Sequence, residues 1–248
     1  MRCADRSTGW GISVSDRFSA AAEALYKLQD DAHLTRPVLD VVPVTGASIS
    51  TIGEFLGPET ISSSDSVAAR LDELQFDLGE GPCWDALSSA GPVLVPDIRD
   101  IEAGLWPAFT RAISSEGVGA IFAFPLAIGP LRIGAMDLYS AEPGELSSEY
   151  AEQSMLLADI VSRRVLRRSL RLAGAPEYAE DNSRHSRRSI HQAVGFVIAQ
   201  LGISPEDAQL LIQGHAFGEG RSMREVAEDI LERRLTFTAS ASTIGDVR

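Results

Sequence analysis

The chain has 248 residues, 44% of them hydrophobic, enough for one medium domain with its own core and a second small one. The net charge is -13, yet residues 183–235 hold seven arginines against seven acids, so the excess negative charge lies in residues 1–182 and excludes non-specific polyanion binding by that part. Cys3 and Cys83 are far apart and in no CxxC or Cys/His spacing, which excludes a disulfide framework or a zinc site, and no apolar run reaches membrane length.

In chain order, residues 16–29 place Phe18, Ala21, Ala22, Leu25 and Leu28 on one helical face. Residues 47–55 alternate as a strand, and residues 59–64 are its expected partner across Leu56-Gly57-Pro58. Residues 68–74 and 82–87 read as helices, 92–96 as a short strand and 106–115 as a further helix. Two strands at 120–128 and 131–139 are separated only by Gly129-Pro130, which predicts a tight hairpin. A long helix then runs from residue 147 or 148 to about 172. On it Leu157, Val161 and Val165 share one face, while Arg163, Arg167 and Arg171 share another, with Arg164 and Arg168 beside them. The apolar stripe suits either a dimer seam or packing on the domain's own sheet. The arginines either extend a cationic surface or answer the acidic body.

Residues 173–182 form a polar hinge, and residues 183–235 read as three short helices. Ile190, Ala193, Val194, Val197 and Leu201 form the stripe of the first, which Gly202 ends. Ser204-Pro205-Glu206-Asp207 starts the second with a cap, a proline that needs no donor, and two carboxylates at the positive helix end; Ala208, Leu211, Ile212 and Ala216 are its buried stripe. After Gly218-Glu219-Gly220, Ser222 and Glu225 have capping-box spacing ahead of Met223, Val226, Ala227, Ile230 and Leu231. A unit this small leans on a neighbouring domain or a second copy.

The run Arg187-Arg188-Ser189-Ile190-His191-Gln192-Ala193-Val194-Gly195, with Leu201-Gly202-Ile203-Ser204 and Arg224-Glu225-Val226-Ala227, resembles an ANTAR domain. The resemblance implies RNA binding and transcription antitermination, and it departs from the family at Val194, where lysine is usual. It also departs at Gly218-Glu219-Gly220-Arg221, where a polar and basic run is more common. The implied RNA-contacting residues are Arg184, Arg187 and Arg188, joined by His191, Gln192, Arg221 and Arg224. Guanidinium groups suit the task because they fork onto phosphates and stack on bases splayed from a loop.

Upstream, Leu78-Gly79-Glu80-Gly81-Pro82-Cys83-Trp84-Asp85, Val95-Pro96-Asp97, Trp106-Pro107-Ala108-Phe109, Phe124-Pro125-Leu126 and Ile133-Gly134-Ala135-Met136-Asp137-Leu138-Tyr139 together resemble a GAF sensory domain, of the type joined to ANTAR domains in actinobacteria. That resemblance implies a small-molecule sensor that often dimerises. The expected pocket is lined from Phe76, Cys83, Trp84, Trp106, Phe109, Phe122, Phe124 and Met136, with plain core as the alternative reading of the aromatics. Haem is disfavoured, since His33 is the only histidine before residue 185, and a bilin is disfavoured because Trp84 follows Cys83 where phytochrome-like relatives have histidine. No cyclic-nucleotide signature of the NKFDE type is found, and no cofactor is identified. Cys83 reads as a buried structural thiol or a redox sensor, the latter blunted by the like charge of Asp85. Gly79-Glu80-Gly81 is a turn, because no lysine follows to make a phosphate loop. No catalytic constellation of recognisable context is present, so no enzyme is expected.

The expectation is therefore an α+β chain: a tail at 1–15, a GAF sensor at 16–172 with an antiparallel sheet flanked by helices, a linker at 173–182, a three-helix ANTAR module at 183–236 and a tail at 237–248. It would act as a cytoplasmic, homodimeric regulator that holds paired RNA hairpin loops of a leader transcript in the antiterminated fold, away from membranes. The alternative is a GAF-type sensor whose helical tail binds a protein partner or DNA.

Overall fold

The computed structural model describes residues 14–52, 58–173, 188–240 and 243–247. Five antiparallel strands form the N-terminal sheet in the order β2-β1-β5-β4-β3, with β1 Gly46–Thr51, β2 Glu59–Ser63, β3 Val93–Val95, β4 Ala120–Ile128 and β5 Leu131–Ser140. The β4–β5 hairpin pairs Ile128 with Leu131, and Gly129 takes the positive φ of 58° that a two-residue turn demands. Pro125 is accommodated in β4 because β3 pairs only as far as Ala123, leaving no partner on that side for the missing N–H.

The two faces of the sheet differ in chemistry. Ala47 and Ile49 of β1, Phe122 and Phe124 of β4, and Met136 and Leu138 of β5 pack into one apolar core with α1 (Val14–Lys27), α2 (Thr35–Leu39) and α6 (Ser148–Ala173). The other face carries Ile121 and Tyr139 at one end, and its remaining alternating residues are small or polar: Ser48, Ser50, Ala123, Ala135 and Asp137. That face is covered by α3 (Ser66–Leu78) and α4 (Pro82–Ser89), with α5 (Pro107–Ile113) packed beside α3.

The long helix α6 resolves the alternative left open by its sequence. Leu157, Val161 and Val165 are at most 1% exposed and sit in the core against the sheet of the same chain, so this stripe is not a subunit seam. Its inward arginines are structural as well. Arg164 donates to the carbonyls of Leu25 and Leu28, at 2.8 and 2.7 Å, and pairs with Asp31, closing the C-terminal end of α1. Arg168 makes a bidentate pair with Glu59 of β2, 2.9 Å at each contact.

The C-terminal module consists of α7 (Arg188–Leu201), α8 (Pro205–Glu219) and α9 (Met223–Leu231). Its caps follow the sequence chemistry: Gly202 and Gly220 take positive φ, Ser204 accepts from Asp207 N, and Ser222 with Glu225 forms a complete capping box. Residues 237–240 and 243–247, expected as tail, instead belong to a hairpin of β6 (Thr236–Ser240) and β7 (Thr243–Val247). Phe237 anchors it, buried in the module core, edge-on to His215, with its N–H on the Gln200 side chain.

Candidate functional site

Helix α3 begins at Asp65, whose carboxylate accepts from Val67 N and Ala68 N, and ends at Gly79 with φ 65°. Two of its faces are occupied. Ala68, Leu71, Asp72 and Gln75 turn toward the polar sheet face, whereas Arg70, Glu73, Leu74 and Asp77 recur at the three- and four-residue steps of another face, which meets α5 and the C-terminal module.

On the sheet side the side chains form one polar chain. Gln75 donates to Asp137 Oδ2 at 2.7 Å, its Oε1 accepts from Cys83 N at 2.8 Å, and its carbonyl accepts from Trp84 Nε1 at 2.7 Å. Asp72 accepts from the Thr60 hydroxyl. Burial, with the Asp72 charge adding to it and the Gln75 hydrogen bond opposing, pushes the Asp137 carboxyl up to about 8. Among the described residues, the buried Asp137 Oδ1 and Ser50 Oγ have no hydrogen-bond partner. The cavity here, between Ser48, Gln75, Asp137 and Tyr139, measures only about 10 Å³, space for a single water at most. This interior is packed shut around its polar groups.

The Gly79-Glu80-Gly81-Pro82-Cys83-Trp84 motif is the wiring of this region. Gly81 has φ 132°, and a Cβ there would meet the Gln75 side chain at 2.7 Å. Glu80 Oε1 accepts from Ala108 N and Phe109 N at 2.6 and 2.7 Å, capping α5 from outside it. Trp106, in the left-handed region at φ 48°, donates from its ring to Asp85. The Cys83 thiol is buried, 1% exposed.

The eight residues expected to line one pocket are distributed over separate clusters. Phe122, Phe124 and Met136 face α1 and α6; Trp106 and Phe109 pack with α3 and α5; Phe76 and Trp84 join the core of the C-terminal module. Cys83 is in the first turn of α4, its N–H on the Gln75 side chain.

On the C-terminal side, Arg184 and Arg187 lie outside the described residues, and Arg188 opens α7. His191 and Gln192 are exposed on α7, next to Gly195 and Phe196, an aromatic that is 40% exposed and was not singled out in the sequence. The only signal for it was its place one turn after His191 and Gln192, opposite the buried Ala193, Val194 and Val197. Val194 is 9% exposed at the margin of that core, so the apolar residue packs where a lysine would have to reach out. Arg221 is engaged by Asp229 at 2.7 Å and by Glu219 at 3.4 Å. Arg224 lies 3.9 Å from Glu73 of α3.

The module is seated directly on the N-terminal domain. Met223 N, the first amide of α9, donates to Asp77 Oδ2 at 2.9 Å, placing a carboxylate at the positive end of that helix, while Phe76 and Trp84 complete the apolar cluster of Ile190, Ile212, Val226 and Ile230. Asp77→Ala removes the acceptor of a buried amide and should cost about 1–3 kcal/mol at this joint. Faster hydrogen exchange confined to the first turn of α9 and to α3 is the expected readout; unchanged protection there would show that the contact contributes nothing.

A family model for the GAF domain matches residues 29–165, and one for the ANTAR domain matches residues 182–231. The chain is a GAF-ANTAR protein. Both are regulatory domains, so the chain is a signal-sensing regulator. No curated protein matches it. The GAF domain of a phosphoenolpyruvate-protein phosphotransferase from Coxiella burnetii superposes with a TM-score of 0.51 at 12% identity, over 64% of this chain and 96% of that one, which supports the fold. The free methionine-R-sulfoxide reductase of Neisseria meningitidis, solved with its substrate, gives 0.48 at 14% identity over 69% of this chain and 96% of that one. The chromophore-binding domain of a bacteriophytochrome from R. palustris gives 0.47 at 11% identity over 67% of this chain; the GAF-ANTAR chain spans 63% of that domain. Among the described residues, no helix is long and apolar enough to cross a membrane, and no group of three or more His, Cys, Asp or Glu is placed to hold a metal ion.

Proposed function

We propose that this GAF-ANTAR protein is an RNA-binding transcription antitermination regulator that acts as a cytoplasmic homodimer and recognises hairpin loops of a leader transcript. The ANTAR match over residues 182–231 carries this reading. The start of α7 supports it: Arg184, Arg187 and Arg188 precede or open the helix, and His191, Gln192 and Phe196 follow on its exposed side. A loop base unstacked from its hairpin finds an aromatic surface in Phe196 and a donor and acceptor in Gln192, while the guanidinium groups hold phosphates. Because the ANTAR module nets to zero charge and the GAF body is acidic, the contact is local, and distant duplex is repelled.

The sensor would act through α3. That helix bonds to β5 by Gln75 and to α9 by Asp77, so a ligand that binds two arrangements of α3 unequally shifts the seating of the ANTAR module. An RNA gel-shift with paired hairpin loops tests the RNA reading. Wild type should bind; Arg187→Ala with Arg188→Ala should lose at least tenfold and show a shallower salt slope; Phe196→Ala should lose about 1–3 kcal/mol, the range for one base stacked on a ring. No binding at all would remove RNA as the target and leave a protein or DNA partner, and equal binding by wild type and the arginine variant would remove the arginine cluster as the contact.

A further inference from the structure

The joint between the two domains leaves a pocket that is partly open to solvent. A cavity of about 200 Å³ lies between α3 and α5 of the GAF domain and α8 and α9 of the ANTAR module. Leu74, Leu78 and Phe217 supply its apolar surface, and Arg70, Arg111 and Arg221 bring three guanidinium groups to its wall, against the single carboxylate of Asp77. Phe217, 56% exposed, forms the lip.

These guanidinium groups are not equivalent. Arg70 is shared with Glu73 at 2.8 Å and Glu116 at 3.7 Å, and Arg221 with Asp229 at 2.7 Å and Glu219 at 3.4 Å. Arg111, on the exposed side of α5, makes no ion pair or side-chain hydrogen bond with any described residue, although it faces an apolar chamber whose other cations are already compensated. Asp77 is held by Met223 N on the opposite domain's helix end. Among the described residues lining the chamber, the uncommitted charge is therefore the positive one of Arg111.

We infer that this interdomain cavity is a binding site for a small organic anion, an aryl carboxylate, whose ring fills the chamber and whose carboxylate pairs with Arg111. The size agrees: a dry cavity of about 150 Å³ takes a benzene ring, and the remaining volume admits a short acid group. A fork of N–H donors on a planar carboxylate supplies orientation, and the apolar surface excludes ligands that lack a ring. Its walls come from both domains, so such a ligand binds the seated arrangement and fixes the ANTAR module to the GAF domain. The site stands whether or not the module binds RNA, and it places an input at the joint, apart from the closed sensor interior.

The test is a titration of the full chain with phenylacetate, followed by thermal unfolding and by tryptophan fluorescence, since Trp84 packs at the joint. Phenylacetamide, which keeps the ring without the charge, and acetate, which keeps the charge without the ring, are the comparison ligands. Saturable stabilisation by phenylacetate is expected, at least tenfold weaker with phenylacetamide and absent with acetate. Arg111→Ala, which removes an exposed side chain and leaves no buried partner, should weaken phenylacetate at least tenfold without lowering the melting temperature of the free chain. Ala112→Leu, filling the chamber from α5, should abolish the response, and Arg132→Ala on β5 should leave it intact. An equal response to acid and amide, an undiminished response in Arg111→Ala, or no saturable response of wild type to phenylacetate would each overturn the assignment.

Discussion

Asp137→Asn is expected to flatten the fall in stability that the raised Asp137 carboxyl predicts for wild type between pH 3.8 and about 8. In the unfolded chain the carboxyl ionises near 3.8, whereas in the fold burial and the Asp72 charge hold it protonated up to about 8. Between those values the native state carries a proton that the unfolded state has released, so stability declines as pH rises, by up to about 1.4 kcal/mol per pH unit from this group. Below 3.8 both states are protonated and the group contributes no slope; above about 8 both are ionised and the accumulated loss stays constant. The Asn carbonyl can still accept from Gln75 Nε2, so the change removes the ionisation while keeping that bond. The unfolding free energy from urea titration should be lower at pH 8 than at pH 5 in wild type, and the difference should be much smaller in the variant. A variant whose midpoint falls in parallel with wild type would place the sensitivity elsewhere.

Gly134→Ala is expected to cost at least about 3 kcal/mol, the top of the range for overpacking, because the obstacle is backbone and not a side chain that can turn aside. A Cβ at this position would lie 1.9 Å from the Ser50 carbonyl oxygen and 2.8 Å from Thr51 Cα, where β5 pairs with β1. Relief requires the two strands to separate at Thr51–Gly134, and the polar face between them carries Ser50 and Asp137, the residues that α3 covers. Denaturant unfolding of the purified variant measures the loss; a change below 1 kcal/mol would mean that the strands part there at little cost. This accounts physically for the glycine in the Ile133-Gly134-Ala135 run.

The elements with a single strong period were readable from the residues. The β4–β5 hairpin, the long α6 and the capped helices α8 and α9 all follow from alternation, the 3.6-residue repeat and turn chemistry. What was not readable is what each face meets. β4 is buried from Ala120 to Leu126 on both faces, so alternation could not tell that Phe122 and Phe124 turn away from α3 while Ile121 and Ala123 turn toward it. The stripe of Leu157, Val161 and Val165 was consistent with a partner helix or with a sheet, and periodicity says only that it is covered. Phe76 and Trp84 belong by sequence to the GAF domain and by packing to the ANTAR core, a relation between segments more than 100 residues apart that no local pattern carries. The hairpin at the C-terminal end was missed because Thr236-Phe237-Thr238-Ala239 is too short and too polar to stand out as a strand.

The double occupancy of α3 also bears on protein engineering. A chimera that grafts another sensor onto this ANTAR segment by cutting in the linker would leave Phe76, Asp77 and Trp84 behind with the discarded half, exposing the hydrophobic underside of α7 and α9. The exchangeable cassette is thus defined by a surface and not by a point in the chain, and a working hybrid must transplant the matching patch of the donor helix along with its sensor.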